Sequence, residues 1–194
     1  ADLEQRHAAD CRSPRATVVD VSERSRVVEP DASGGLAVDH RLTVQQRRLR
    51  HAIPENRLRL YNMRDIVETL ADKDSVLEIR EKFGVGVITA FIRIEGRPVG
   101  LIANDNHHLG GAIDCDGADK GSRFMLLCDN YGIPLLSLVD TPGFMVGLES
   151  ERQAAVRKTS RMFLIGAKLG VPFFAVVLRK CYGLGASGMT GGSR

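Results

Sequence analysis

The feature that most restricts this chain is Ile133-Pro134-Leu135-Leu136-Ser137-Leu138-Val139-Asp140, followed at once by Thr141-Pro142-Gly143-Phe144. A strand that is apolar on successive residues has no face to offer to water. It must be covered on both sides, as in a parallel sheet flanked by helices. Pro142-Gly143 then turns the chain. Glycine-rich stretches lie before and after it, Leu109-Gly110-Gly111-Ala112-Ile113-Asp114 and Tyr182-Gly183-Leu184-Gly185-Ala186. Whatever buries the strand also presents those two bends.

The flanking patterns agree with such a sheet. Met63, Ile66, Val67 and Leu70 recur at helical spacing, with Asn62 placed to cap. Val76–Ile79 begins extended structure. Residues 86–94 and 98–103 flank Glu95-Gly96-Arg97, a hairpin signal. A helix is predicted from Asp116 or Asp119 to Asn130, with Phe124, Leu127, Cys128 and Tyr131 on one face and Gly132 ending it. A second runs over 150–169, burying Ala155, Thr159, Met162, Phe163 and Gly166, and stops at Gly170 and Pro172. Residues 173–178 form another apolar strand. Strand, helix, strand, helix, strand is an α/β order with right-handed crossovers.

Residues 1–56 read differently. Short apolar pieces, Thr17-Val18-Val19 and Arg26-Val27-Val28, sit among charged and polar residues, and 30–35 is turn material, so an irregular arm is expected ahead of a domain at 57–194. The basic run Arg47-Arg48-Leu49-Arg50 reads as a solvated face, with phosphate binding the lesser alternative. The glycine-rich last residues suggest a domain cut short at its C-terminus. With 27 basic and 24 acidic residues, a net charge of +3 is too balanced to make nucleic acid the main partner. Cys11, Cys115, Cys128 and Cys181 show no CxxC spacing, so neither a metal site nor a disulfide framework is expected. With no signal-like or membrane-spanning run, a soluble cytoplasmic protein is expected.

Several residues invite a chemical reading. Gly183-Leu184-Gly185-Ala186-Ser187-Gly188 fits G-x-G-x-x-G, but the acidic partner of a dinucleotide site would fall beyond the last residue. Glycine bends ahead of helices also make oxyanion holes, because backbone N–H groups can approach a ligand where no Cβ intervenes. Ordinary turns are the plain alternative. His107 and His108 read as solvated or structural, and Asp140 as a brace for the turn at Thr141 and Gly143. Arg179 and Lys180 either meet an anionic ligand or form a surface pair. Cys115, Cys128 and Cys181 read as small packing residues.

Taken together, GRPVGLIAND, LGGAID, ADKGSRFMLLCDNYGIPLLSLVDTPGFMVG and RKCYGLGASGM resemble the carboxyltransferase (β-type) subunit of biotin-dependent acyl-CoA carboxylases. This is the acetyl-/propionyl-CoA carboxylase and methylmalonyl-CoA carboxyltransferase group. The resemblance runs from about Tyr61 to Ser193, in the C-terminal one of that family's two halves, and residues 1–41 resemble nothing identified. It implies a crotonase-like ββα spiral, here incomplete, and transfer of a carboxyl group from biotin on a partner protein to the α-carbon of an acyl-CoA. Paired backbone amides would stabilise the anions: Gly185 and Ala186, faced by Gly111 and Ala112, on the biotin side. Gly110, Tyr182, Gly183 and Phe144 would contact the biotin. YGLGA stands where some relatives have YGGA, which leaves the donor register open by one residue.

The resemblance further implies a biotin carboxyl carrier and biotin carboxylase as partners, a homo-oligomer, and inactivity of this piece alone. The alternatives are an enoyl-CoA hydratase or isomerase, with Glu149 and Glu151 as carboxylates, a non-catalytic assembly module, and a nucleotide-binding oxidoreductase.

Overall fold

The computed structural model describes residues 17–20, 46–56 and 59–192, with backbone alone at 17–20 and 46–47. Its strands are β1 (Thr17–Asp20), β2 (Leu77–Glu78), β3 (Val87–Ile94), β4 (Arg97–Asn104), β5 (Leu135–Thr141) and β6 (Phe173–Cys181). Its helices are α1 (Met63–Leu70), α2 (Cys115–Asn130), α3 (Leu148–Arg152), α4 (Ala155–Gly166) and α5 (Gly183–Met189), with 3₁₀ turns at Gln46–His51 and Leu109–Gly111. The six-stranded sheet has the order β1-β6-β5-β4-β3-β2. From β4 to β1 neighbours are parallel, and β3 runs against both β4 and β2.

β5 is central, as its apolar run requires. Successive residues point to opposite faces, so Leu138 packs with Tyr61, Met63, Ile66 and Leu101 beneath α1. Val139 packs with Phe124, Met125, Met162 and Phe173 beneath α2 and α4. Asn62 caps α1, its side chain accepting from the amide of Arg64 at 3.1 Å. At the hairpin, Glu95 (φ 52°) and Gly96 (φ 76°) are both left-handed, the two-residue turn that suits twisted strands. The Asp72 carboxylate accepts from both their amides, at 3.0 and 2.7 Å.

Three expectations change, and the solvated face expected of the basic run holds at Arg48 and Arg50. Thr17–Asp20 is not irregular: it adds a parallel edge strand, Val18 opposite Ala175 and Val19 opposite Val176, a pairing that local sequence cannot announce. The helix expected over 150–169 is divided into α3 and α4, because Ala154 takes a left-handed φ of 59°. Tyr131 lies past the end of α2 and is 74% exposed, off the face formed by Phe124 and Cys128. The basic segment is a 3₁₀ turn with Arg48 and Arg50 exposed, while Leu49 leans on the core. Residues 1–16 and 21–45, including Cys11, Val27 and Val28, lie outside the described residues.

Candidate active site

β4, β5 and β6 are parallel, so the segments leaving their C-terminal ends emerge at one edge of the sheet, where open α/β sheets place their ligands. The turn after β5 joins the two glycine bends. On one side Ile113 donates its amide to the carbonyl of Gly143 (3.0 Å), and Met145 donates to that of Ile113 (2.8 Å). On the other, the Tyr182 amide donates to the carbonyl of Thr141 at 3.2 Å. Glycine is required at both contacts. A Cβ on Gly185 would lie 2.6 Å from the carbonyl carbon of Gly143, and one on Gly111 would collide with the carbonyl oxygen of Asp140. Both bends are therefore packed against residues 140–144.

Asp140 holds this edge together. It is fully buried. Its Oδ2 accepts from the Tyr61 hydroxyl (2.7 Å), Asn106 Nδ2 (2.9 Å) and Arg179 Nε (3.1 Å). Its Oδ1 accepts from the Lys180 amide at 3.0 Å. The Arg179 guanidinium also sits 5.0 Å over the Tyr61 ring and donates to the Arg59 carbonyl. Burial first, and then the bond to Asp140, push the Tyr61 phenol well above its ordinary pKa, so it remains a donor. Lys180 extends the cluster outward: its ammonium bonds the Gly110 carbonyl and stands 3.8 Å from Asp140 Oδ1. One buried carboxylate thus positions the chain entering the second bend and, through Lys180, the first.

This corrects two expectations. The Thr141 hydroxyl, not Asp140, braces the turn, accepting from the Gly143 amide at 3.1 Å. Arg179 is no surface residue, its side chain being 6% exposed. Sequence reasoning singled out Asp140, Arg179 and Lys180 separately but missed Tyr61 and Asn106. Asn106 follows directly on the Asn104-Asp105 end of β4, where a polar residue after a buried strand was an available signal; Tyr61 had none.

The amides are not equivalent. Those of Gly111 and Ala112 close the 3₁₀ turn, donating to the carbonyls of His108 (2.9 Å) and Leu109 (3.1 Å). That of Ala186 donates to the Tyr182 carbonyl at 3.3 Å. Gly183, Leu184 and Gly185 form the first turn of α5, whose amides have no acceptor within the helix. Gly188, the last glycine of the G-x-G-x-x-G string, lies inside α5, where a Cβ would sit 3.1 Å from the Phe144 ring.

The other residues singled out fall into place around these. Tyr182 precedes α5 and is 53% exposed, as Leu184 is at 70%. Gly110 and Gly183 are left-handed at φ 62° and 59°. Phe144 packs edge-on against Phe163, with ring centres 5.9 Å apart. His108 Nε2 pairs with Asp114 at 2.9 Å, and Asp114 caps α2 by accepting from the Gly117 amide at 2.7 Å. His107 pairs with Asp105 at 3.4 Å. Glu149 and Glu151 are exposed in α3. Cys115 and Cys128 are buried, and burial pushes the Cys128 thiol up to about 12, as suits an inert packing residue. Cys181 is partly buried and packs against the core. Among the described residues no helix is long and apolar enough to cross a membrane.

A doubly covered sheet with amide-bearing bends at one edge matches a known class. The chain belongs to the carboxyl transferase domain family, matching it over residues 28–194, well ahead of Tyr61, where the resemblance in sequence begins. It is 38% identical over 131 residues to the propionyl-CoA carboxylase beta chain of Roseobacter denitrificans, covering 68% of this chain and 26% of that protein. A solved single-chain, multi-domain long-chain acyl-CoA carboxylase superposes with a TM-score of 0.73 at 56% identity, over 74% of this chain and 14% of that one. The transcarboxylase 12S structure with methylmalonyl-CoA bound, described as a hexamer assembly, superposes with a TM-score of 0.71 at 35% identity, over 73% of this chain and 28% of that one. The fold is accordingly crotonase-like. The chain spans about a quarter of the length of the curated relatives it matches.

Proposed function

We propose that this chain supplies the biotin-side half of a carboxyltransferase site in a biotin-dependent acyl-CoA carboxylase. The observation that carries the reading is the shared support of the two bends: Gly185 and Gly111 are each pressed against residues 140–144, and Lys180 ties Gly110 to Asp140. Carboxybiotin on a carrier protein would supply the carboxyl group, and a short acyl-CoA would accept it. The chain's own contribution is electrostatic. Negative charge gathering on the ureido oxygen of biotin would be met by amides already fixed in place, which need no reorganisation during the reaction.

Within the set Gly111, Ala112, Gly185 and Ala186, Gly185 is the donor with no acceptor in its own helix. The amides of Gly111 and Ala112 sit in a 3₁₀ turn, whose hydrogen-bond geometry is poor enough to share with a ligand. Gly110, Gly183 and the exposed Tyr182 would border the biotin ring, with Phe144 fixing the floor by its contact with Phe163. The remaining acyl-CoA contacts would come from other parts of an oligomeric assembly, and this chain alone is expected to be inactive.

The test is Gly185→Val in the assembled carboxyltransferase, supplied with biotinylated carrier and propionyl-CoA. Valine keeps the amide, but its Cβ collides with Gly143 and displaces the donor; loss of an oxyanion donor costs about 10²–10³ in turnover, and carboxyl transfer should fall to that extent. Transfer at a near-normal rate would remove this loop from the site.

A further inference from the structure

Away from the glycine bends, α2 and the segment around β2 enclose a cleft of about 430 Å³, large enough for a small organic ligand. Its walls carry Arg80, Lys120, Arg123 and Arg161 together with Ile79, Phe124 and Leu127. It continues past Arg80 and Arg123 into a depression bordered by Lys82, Phe83 and Asp119. None of these residues belongs to the site described above.

The charges do not balance. Asp119 is engaged by Arg161 at 2.8 Å and by Arg123 at 3.6 Å. Glu78, next to the cleft, is held by Arg64 at 2.9 Å. Glu81 also acts on Lys120 through space but is exposed to solvent. Lys120 itself is 1% exposed, and its Nζ has no hydrogen-bond partner among the described residues. Burial depresses the pKa of that amine, and Glu78 and Glu81, acting through space without bonding it, offset this only in part. An isolated buried ammonium is unfavourable and is relieved by an anion.

We propose that this cleft binds a small phosphate-bearing molecule with an apolar body, its phosphate oxygens taken by Lys120, Arg80 and Arg123. Phosphate fits better than carboxylate because guanidinium forks around it can each bond separate oxygens of a multiply charged group. Ile79, Leu127 and the edge of Phe124 give the apolar part a wall. Lys120 lines the cleft, and rotation about its four-carbon stem would bring Nζ to the ligand.

The experiment is isothermal titration of the chain with ADP, inorganic pyrophosphate, adenosine and succinate at low salt, repeated on Lys120→Met and Arg80→Ala. ADP and pyrophosphate should bind saturably, ADP the tighter, and adenosine and succinate should not. Each substitution should weaken binding by about tenfold or more. Arg80 is exposed, so its variant keeps the test open even if the Lys120 variant alters the fold. No binding by the unaltered chain at millimolar ADP overturns the proposal, as does equal affinity in both variants or succinate binding as well as pyrophosphate. A negative result here leaves the carboxyl-transfer reading intact, since the two share no residue.

Discussion

Asp140 and Lys120 are both enclosed, at 0% and 1% exposure, and the fold treats them in opposite ways. Asp140 receives Tyr61, Asn106, Arg179 and the Lys180 amide. The Nζ of Lys120 makes no hydrogen bond to the described residues. A buried charge held by donors from several elements acts as a rigid joint, and here the joint lies directly under the bends that would carry out chemistry. A buried charge left open marks a place where the described structure is incomplete without something else.

The largest expected effect falls on the satisfied charge. Asp140→Ala removes the buried carboxylate on which Tyr61, Asn106 and Arg179 converge, and should cost about 3–5 kcal/mol of stability in denaturant titration. A loss well below that would mean Asp140 is no joint. Lys120→Met should move the other way, stabilising the ligand-free chain by on the order of 1–4 kcal/mol, because it deletes an uncompensated charge while keeping the bulk. A destabilised variant would show that Lys120 is in fact paired.

Tyr61→Phe, which removes one hydrogen bond to the Asp140 carboxylate, should cost about 1.5–3 kcal/mol. It should also speed amide exchange at Lys180, whose N–H bonds the same carboxylate; unchanged exchange would uncouple the phenol from the joint.

The smallest effect is a pH dependence. The folded Lys120 amine loses its proton below the unfolded value near 10.4. Across that window the unfolded chain binds more protons, so this group makes stability rise with pH. The advantage of Lys120→Met should therefore be fullest below the depressed folded value and shrink as pH rises toward about 10. Tyr61 and Cys128, whose values are raised, act oppositely, withdrawing stability as pH rises above their unfolded values. Taking the difference between variant and parent cancels them.

Much of the scaffold was legible because its signals are local. Asn62 with Met63, Ile66 and Val67 specifies a capped amphipathic helix; Glu95-Gly96 specifies the hairpin; Ile133–Val139 demands cover on both faces. The candidate bends were legible as glycine strings, and their order along the chain carried the family resemblance. Ala154 was not legible as a break, since alanine favours helix and yet adopts a left-handed φ here.

What the sequence determined by itself was the class of most elements from α1 to β6, the buried central strand and the family, since these rest on neighbours a few positions apart. Only the tertiary structure decided that Thr17–Asp20 closes the sheet beside β6, that Tyr61, Asn106 and Arg179 meet on Asp140, and that Lys120 finds no hydrogen-bond partner among the described residues. Those outcomes depend on which distant side chains arrive at the same few ångströms of space. Hydrogen bonds and charge compensation act over that range, whereas the periodicity of a sequence reports only which way a side chain faces.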